Sequence, residues 1–319
     1  MVERLGPPLE EPIFGELAII GVGLIGSSLA RAVRKRHAAR RVVLADHSPE
    51  TLARAEVLKL GDVATKDIAK AVETADCVVL SAPVGANEKI ARVMAPALKP
   101  GAIVTDVGSV KVAVIAAVAP QLPPHVHLIP AHPVAGTEQS GPDAGFAGLF
   151  VNRWCILTPP AGADDRAIQR VRALWEAVGS NVETMSAEHH DLVLAITSHV
   201  PHLIAYNIVG TAADLEEVTQ SEVIKFSAGG FRDFTRIAAS DPIMWRDVFL
   251  YNKDAVLEML GRFNEDLTAL QRMIRREDGD GLFALFTRTR AIRLGIVAQG
   301  QETPAPDFGR PRVNGNGQS

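Results

Sequence analysis

The most restrictive stretch of the chain is GELAIIGVGLIGSSLARAVRKR, residues 15–36. An apolar, β-branched run leads into three glycines, and a helical pattern with a basic end leads out. In a Gly-x-Gly-x-x-Gly loop set between strand and helix, each glycine has its own task. Gly21 makes the tight turn, Gly23 lets a diphosphate approach the backbone, and Gly26 lets the helix pack closely on the strand. The helix opened by Leu24 and Ile25 then offers N–H donors and a positive dipole end. Glycines also serve ordinary turns, so the next strand decides. RRVVLAD ends at Asp46, 20 residues after Gly26, where a carboxylate can accept from both hydroxyls of a ribose. An acid there repels a 2′-phosphate, so NAD is expected over NADP. Arg40 and Arg41 precede that strand and are badly placed to rescue NADP.

The alternation continues. DCVVLSAP, AIVTDVGS, VHLIPAHP and WCILTPP are further short apolar strands, with helical segments such as NEKIARVMAPAL between them. Ser48 followed by Pro49 opens the helix after Asp46. Apolar strands alternating with helices predict a Rossmann-type, doubly wound α/β fold with a mainly parallel sheet over residues 1–186. From Ala187 onward no strand pattern remains, and an all-α domain is expected over 187–300, with residues 301–319 a disordered tail by composition. SDPIMWRDVFLYNKDAVLEMLGRFNEDLTALQRMIRR predicts one long helix, capped by Asp241 with Pro242 in its first turn.

Composition excludes several classes. A net charge of −4 with 22% charged residues leaves no basic footprint for nucleic acid. The longest apolar stretch, Leu17 to Ala30, holds two serines and three glycines and is short for a membrane span. The acidic, proline-rich N-terminus is not the pattern of a signal peptide. Cys77 and Cys155 both fall inside predicted strands, which suits a reducing cytoplasm and offers neither disulfide nor metal framework.

Open α/β sheets bind ligands where strands end. SAPV follows one strand, and Ser81, Pro83 and Val84 could wall the nicotinamide or its ribose. DVGSVK follows another, bringing Asp106 toward the cofactor and Ser109 to a helix start, as N-cap, as substrate contact, or both. His132, in IPAHPVAGTEQSG, sits at the same edge of the sheet, whereas His125 and His127 lie at the opposite one. Imidazole titrates near neutral pH and suits proton transfer from an alcohol. In TSHVPHLIAYN, His199 and His202 share a face of an apolar helix that Pro201 should kink. They read as a substrate-facing pair or as hydrogen-bonded core histidines; a zinc set lacks a third ligand of matching spacing, and no metal is expected. GGFRDFTRIAASDPIMW gathers Arg232, Asp233 and Arg236, either a carboxylate fork or a local Asp233–Arg236 surface pair.

Taken in order, GVGLIGSS, DVGSVK, HPVAGTEQSG, TSHVPH, GGFRDFTRIA and DPIMWRD resemble the prephenate/arogenate (cyclohexadienyl) dehydrogenase family of tyrosine biosynthesis. That resemblance implies oxidative decarboxylation of prephenate to 4-hydroxyphenylpyruvate, or of arogenate to tyrosine, with hydride passing to NAD. It implies that His132 hydrogen-bonds the ring hydroxyl and that Ser109 orients both. Arg236 would bind a substrate carboxylate and His202 would face the side chain, while Asp233 and Trp245 line or gate the pocket. Thr137 stands where an acid in relatives favours the amino group of arogenate, so a neutral residue leans toward prephenate or toward both. A homodimer through the helical domain is implied as well. The chain shows no pattern for a chorismate mutase segment or a regulatory ACT domain. Related β-hydroxyacid dehydrogenases use a lysine on the first long helix of the second domain, and none occurs here between Lys111 and Lys225. Two readings compete: another two-domain NAD(P)-dependent reductase acting on a small hydroxyacid or imine, and a non-catalytic NAD-sensing module, which would need only the glycine loop and Asp46.

Overall fold

The computed structural model describes residues 5–219 and 228–298; the tail expected over 301–319 lies outside them. Residues 5–260 form one compact unit, and residues 261–298 belong to a second.

Six parallel strands make the main sheet: β1 (Phe14–Ile20), β2 (Ala39–Ala45), β3 (Val63–Thr65), β4 (Cys77–Leu80), β5 (Ile103–Asp106) and β6 (His127–Leu128). Their order is β3-β2-β1-β4-β5-β6. The direction of winding therefore reverses between β1 and β4, the switch point where such sheets open a crevice. Both faces are covered. Leu17 and Ile19 of β1 join one buried cluster and Ala18 and Ile20 the other, which is why the strand reads as a continuous apolar run. Helices α1 (Leu24–Arg36), α2 (Pro49–Val57), α3 (Ile68–Val72), α4 (Asn87–Met94) and α5 (Val112–Val118) connect the strands. Ser48 caps α2 as expected, its Oγ accepting the Thr51 N–H at 3.1 Å.

One predicted strand divides. VHLIPAHP forms β6, leaves the sheet at Ile129 and re-forms as β7 (Ala131–Pro133), which starts a second sheet, β7-β8-β9. Prolines at 130 and 133 cannot donate to a ladder, so the parallel sheet cannot simply continue through this segment. β7 pairs antiparallel with β8 (Trp154–Leu157), which pairs parallel with β9 (Asn181–Thr184). β3 and β9 were not expected from the sequence. Both are short, and β9 is largely exposed, so neither shows a buried apolar run. Helix α6 (Asp165–Ala177) crosses between β8 and β9 and buries Trp175 completely.

Beyond β9 the described chain is helical: α7 (Ala187–Leu194), α8 (Val200–Thr219), α9 (Gly229–Thr235), α10 (Pro242–Tyr251), α11 (Lys253–Arg275) and α12 (Gly279–Ala298). The kink expected at Pro201 takes the form of a widened π-turn over Ala195–His199, which absorbs the missing proline N–H. Asp241 caps α10 through the Met244 N–H at 2.9 Å. The helix expected from there to the RMIRR segment is broken at Asn252, whose side chain turns into the protein. Against the expectation that no stretch has span-like character, Ala187–Leu215 is long and apolar enough to cross a membrane by length and composition. Its buried His190, Asp191 and His199 are hydrogen-bonded to other elements.

Candidate active site

The glycine loop closes at the switch point. Gly21 has φ +98°, and a Cβ there would stand 2.6 Å from the carbonyl carbon and oxygen of Ser81. A Cβ on Gly26 would overlap the Gly21 carbonyl oxygen, so α1 lies closer to β1 than any side chain permits. Before the first turn of α1, where half-buried Leu24 and Ile25 begin the helix, a Cβ on Gly23 would meet nothing within 4 Å. Asp46 leans back over this space. Its Oδ2 accepts the Val22 N–H at 2.8 Å, leaving that oxygen a lone pair for a ribose hydroxyl, and its Oδ1 accepts the Ser48 N–H at 3.0 Å with His47 Nδ1 3.2 Å away. The buried Ser81 hydroxyl has no partner among the described residues and lies 3.0 Å from the Gly26 Cβ position. A cradle of glycines, an unclaimed hydroxyl and an acid fit the diphosphate and ribose of NAD. Arg40 and Arg41 lie inside β2 rather than before it; Arg41 is engaged by Glu16 at 2.8 Å and Arg40 is exposed. Val84 packs against Gly108, joining the loops after β4 and β5, while Pro83 is exposed.

Asp106 departs from the expected cofactor contact. It is completely buried and points into the protein, where it meets the Lys111 ammonium at 2.5 Å. Its Oδ1 accepts the Ala131 N–H at 3.2 Å and its Oδ2 the Gly108 N–H at 2.8 Å.

His132 projects from β7 and is 6% exposed. Its Nδ1 lies 2.8 Å from Nε2 of His190, and Nδ1 of His190 lies 2.8 Å from Oδ1 of Asp191. Asp191 also accepts the backbone N–H groups of Lys111 at 2.8 Å and Val112 at 2.9 Å. A carboxylate taking three donors acts only as an acceptor, and that fixes the protons along the chain. His190 must donate from Nδ1, so its Nε2 is bare; His132 must then donate from Nδ1, so its own Nε2 carries the free lone pair. Burial, followed by the charges of His190, Lys111 and His199, pushes the His132 imidazole well below its ordinary 6.5. The ring is therefore a neutral base at physiological pH. Neither His190 nor Asp191 was singled out from the sequence as a reacting or positioning group. Their signal was an acid beside two histidines in an apolar helix, which cannot be buried without partners.

Ser109 is not the N-cap of α5. Asp191 supplies that cap from α7, and the half-buried Ser109 hydroxyl forms no hydrogen bond among the described residues. His199, expected to face substrate, is completely buried behind Ser109 and interacts with its backbone. The inward-turned Asn252 amide lies 3.1 Å from His199 Nδ1 and donates to the Asp191 carbonyl at 2.8 Å. Burial, the largest influence, lowers the His199 pKa to about 4. A histidine charged more easily unfolded than folded stabilises the protein fully above pH 6.5 and loses that contribution as pH falls toward about 4. The melting temperature should accordingly decline through this window, before most carboxylates protonate. A flat melting temperature across it would contradict the buried, neutral histidine cluster.

A second group of side chains comes from α8, the turn after α9, α10 and the loop after β7. The His202 ring stacks on Trp245 with centroids 3.7 Å apart and donates from Nδ1 to the Ser198 carbonyl at 2.8 Å. The buried Trp245 N–H has no partner among the described residues. Arg236 pairs with Glu138 at 2.9 Å, not with the neighbouring Asp233, which is exposed. Glu138 carries no distinguishing signal in the sequence, and the hydroxyl of its neighbour Thr137 accepts the Gln139 N–H at 3.2 Å.

Residues 29–184 match the nucleotide-binding domain model of prephenate dehydrogenase, and residues 186–288 match the dimerization domain model of the same enzymes. The chain belongs to the prephenate dehydrogenase family. It is 46% identical to the cyclohexadienyl dehydrogenase of Zymomonas mobilis over 284 residues, which covers 89% of this chain and 97% of that protein. Identity to the prephenate dehydrogenase of Bacillus subtilis is 33%, covering 92% of this chain and 78% of the relative. A crystal structure of prephenate dehydrogenase from Aquifex aeolicus with hydroxyphenyl propionate and NAD+ superposes with a TM-score of 0.83 at 36% identity. That likeness covers 90% of this chain and 99% of the other. Prephenate dehydrogenases thus share both halves of this fold; Asp46 lies within the matched nucleotide-binding half, and the glycine loop immediately precedes it.

Proposed function

We propose that the protein oxidises and decarboxylates prephenate with NAD, takes arogenate as a second substrate, and works as a homodimer in the cytoplasm. The observation that carries this reading is the His132–His190–Asp191 chain, which leaves a bare imidazole nitrogen at the strand edge. The 46%-identical relative is named for cyclohexadienyl substrates, a class containing both prephenate and arogenate. NAD, when bound at the glycine loop, supplies the hydride acceptor. The chain's own residues do the rest. His132 Nε2 accepts from the ring hydroxyl and draws off its proton as that carbon is oxidised, and Ser109 orients the hydroxyl. Loss of CO₂ then leaves an aromatic ring, which makes the reaction irreversible. Arg236 holds a substrate carboxylate once Glu138 yields it, and His202 and Trp245 form the wall at the side-chain end. Residues 1–186 serve the cofactor, and residues 187–300 complete the substrate site and the dimer. Exposed Phe283 and Phe286 on α12 are apolar surface available for such an interface.

Incubation with prephenate and NAD should yield equal amounts of NADH, CO₂ and 4-hydroxyphenylpyruvate. No turnover with prephenate or arogenate rejects the reading, and turnover of a small hydroxyacid or imine instead would establish the competing reductase. Arg236→Ala should raise KM for prephenate about 10- to 100-fold, the worth of a charge-assisted pair, with a smaller effect on kcat. A fall in kcat at unchanged KM would place Arg236 elsewhere in the mechanism.

A further inference from the structure

A completely buried ion pair lies directly behind these reacting groups. Lys111 and Asp106 are both 0% exposed, and no step of the reaction uses either. Burying two charges is costly, and an apolar pair of similar volume often serves stability equally well. What an apolar pair could not do is bind backbone, and this pair binds two particular segments. Lys111 Nζ donates to the Ala131 carbonyl at 2.7 Å while Asp106 Oδ1 accepts the Ala131 N–H. Both polar atoms of the residue preceding His132 are thus held by one ion pair. Asp106 Oδ2 accepts the N–H of Gly108, the residue preceding Ser109. The contacts fall where the chain has left the main sheet and lost its parallel ladder, the last rung being Ile129 N–H to Val104 at 2.9 Å.

We propose that the Asp106–Lys111 pair is a positioning element of the reaction, pinning the Ser109 loop to the His132 strand with one positive charge behind the imidazole. This rests on His132 and Ser109 being the reacting residues. The other titratable groups around His132 are His190 and Asp191 on α7, His199 in the π-turn, and Cys155 on β8. Of the groups that depress the His132 proton affinity, Lys111 is the only one that is not a histidine; burial lowers its own pKa, and the Asp106 and Asp191 carboxylates oppose that by favouring the ammonium. Its removal must therefore raise the pH at which His132 loses its proton. A purely architectural salt bridge would not move that titration.

The test compares wild type with Lys111→Met, Lys111→Gln and the charge-free pair Asp106→Asn/Lys111→Met. Lys111→Met should lower kcat about 10- to 100-fold, the cost of a small misplacement of reacting atoms, with NAD affinity within about twofold. The acid limb of kcat/KM should move to higher pH. Lys111→Gln, whose amide can still donate to Ala131, should recover part of kcat while its acid limb stays displaced. Should the single variants fail to fold, the double variant carries a smaller displacement in the same direction, because the opposing Asp106 charge is removed as well. The His132 imidazole is also titrated by NMR in the ligand-free proteins, with His132→Asn assigning the resonance. An unmoved imidazole titration in a folded variant lacking Lys111 overturns the proposal. Absence of turnover by wild type, with the imidazole titration displaced in the variants, would instead reject the assigned reaction and leave the pair's effect on His132 standing.

Discussion

His132→Asn should lower kcat by about 100- to 10,000-fold while NAD still binds. Asparagine preserves more of the local structure than alanine would. Its amide can still donate to His190 Nε2, so the buried relay keeps a partner at that nitrogen and the loop after β7 keeps its course. What disappears is the bare Nε2. Neither neighbouring histidine can replace it: His190 is consumed by its bonds on both ring nitrogens, and His199 is buried with Nδ1 taken by Asn252. The glycine loop and Asp46 are untouched, so NAD affinity should stay within about twofold of wild type. Full activity in this variant, or loss of activity together with loss of NAD binding, would remove His132 from the role of base.

Asp191→Asn should be nearly as damaging, although Asp191 touches no substrate. Its two oxygens accept two backbone N–H groups and the His190 ring. An amide has one acceptor oxygen, so one of those donors is left without a partner at a cost of about 1–3 kcal/mol. If the amide N–H₂ turns to His190, that ring must present a bare Nδ1 and donate from Nε2. His132 must then accept at Nδ1 and carry its proton on Nε2, the wrong tautomer for a base. Orienting carboxylates of this kind are worth on the order of 1,000-fold in kcat. The expected pattern is a large fall in kcat, a modest fall in melting temperature and little change in NAD affinity. Loss confined to stability, with kcat intact in the folded fraction, would show that Asp191 caps α5 and does nothing more.

The cofactor half was legible in the sequence because its requirements are local. Gly21, Gly26 and Asp46 are tied to one β-α-β unit, and spacing alone encodes the turn, the close packing and the ribose acceptor. The reacting histidine was legible because it ends a strand. The partners of His132 were not, since they meet it from 58 positions away and sequence spacing carries no information about such a contact. Asp106 and Ser109 were read by their place at a strand end, yet Asp106 turns inward because a buried ammonium needs an answering charge. Ser109 is spared from capping because a distant carboxylate does that work. Asn252 looked like an ordinary residue in a long helix. Its amide instead ends the helix and ties the π-turn to α7. The second sheet was hidden in IPAHP, where the two prolines that interrupt the ladder could be read as marks of a catalytic loop alone.

The most direct test of the central claim is the pH dependence of kcat/KM for prephenate in the wild-type protein. A His132 held neutral by burial keeps its free Nε2 well below its ordinary pKa of 6.5. The profile should therefore be flat through neutral pH and fall with unit slope only below 6.5, the limb vanishing in His132→Asn. An acid limb centred above 6.5, or one that survives His132→Asn, would contradict a buried neutral histidine as the base.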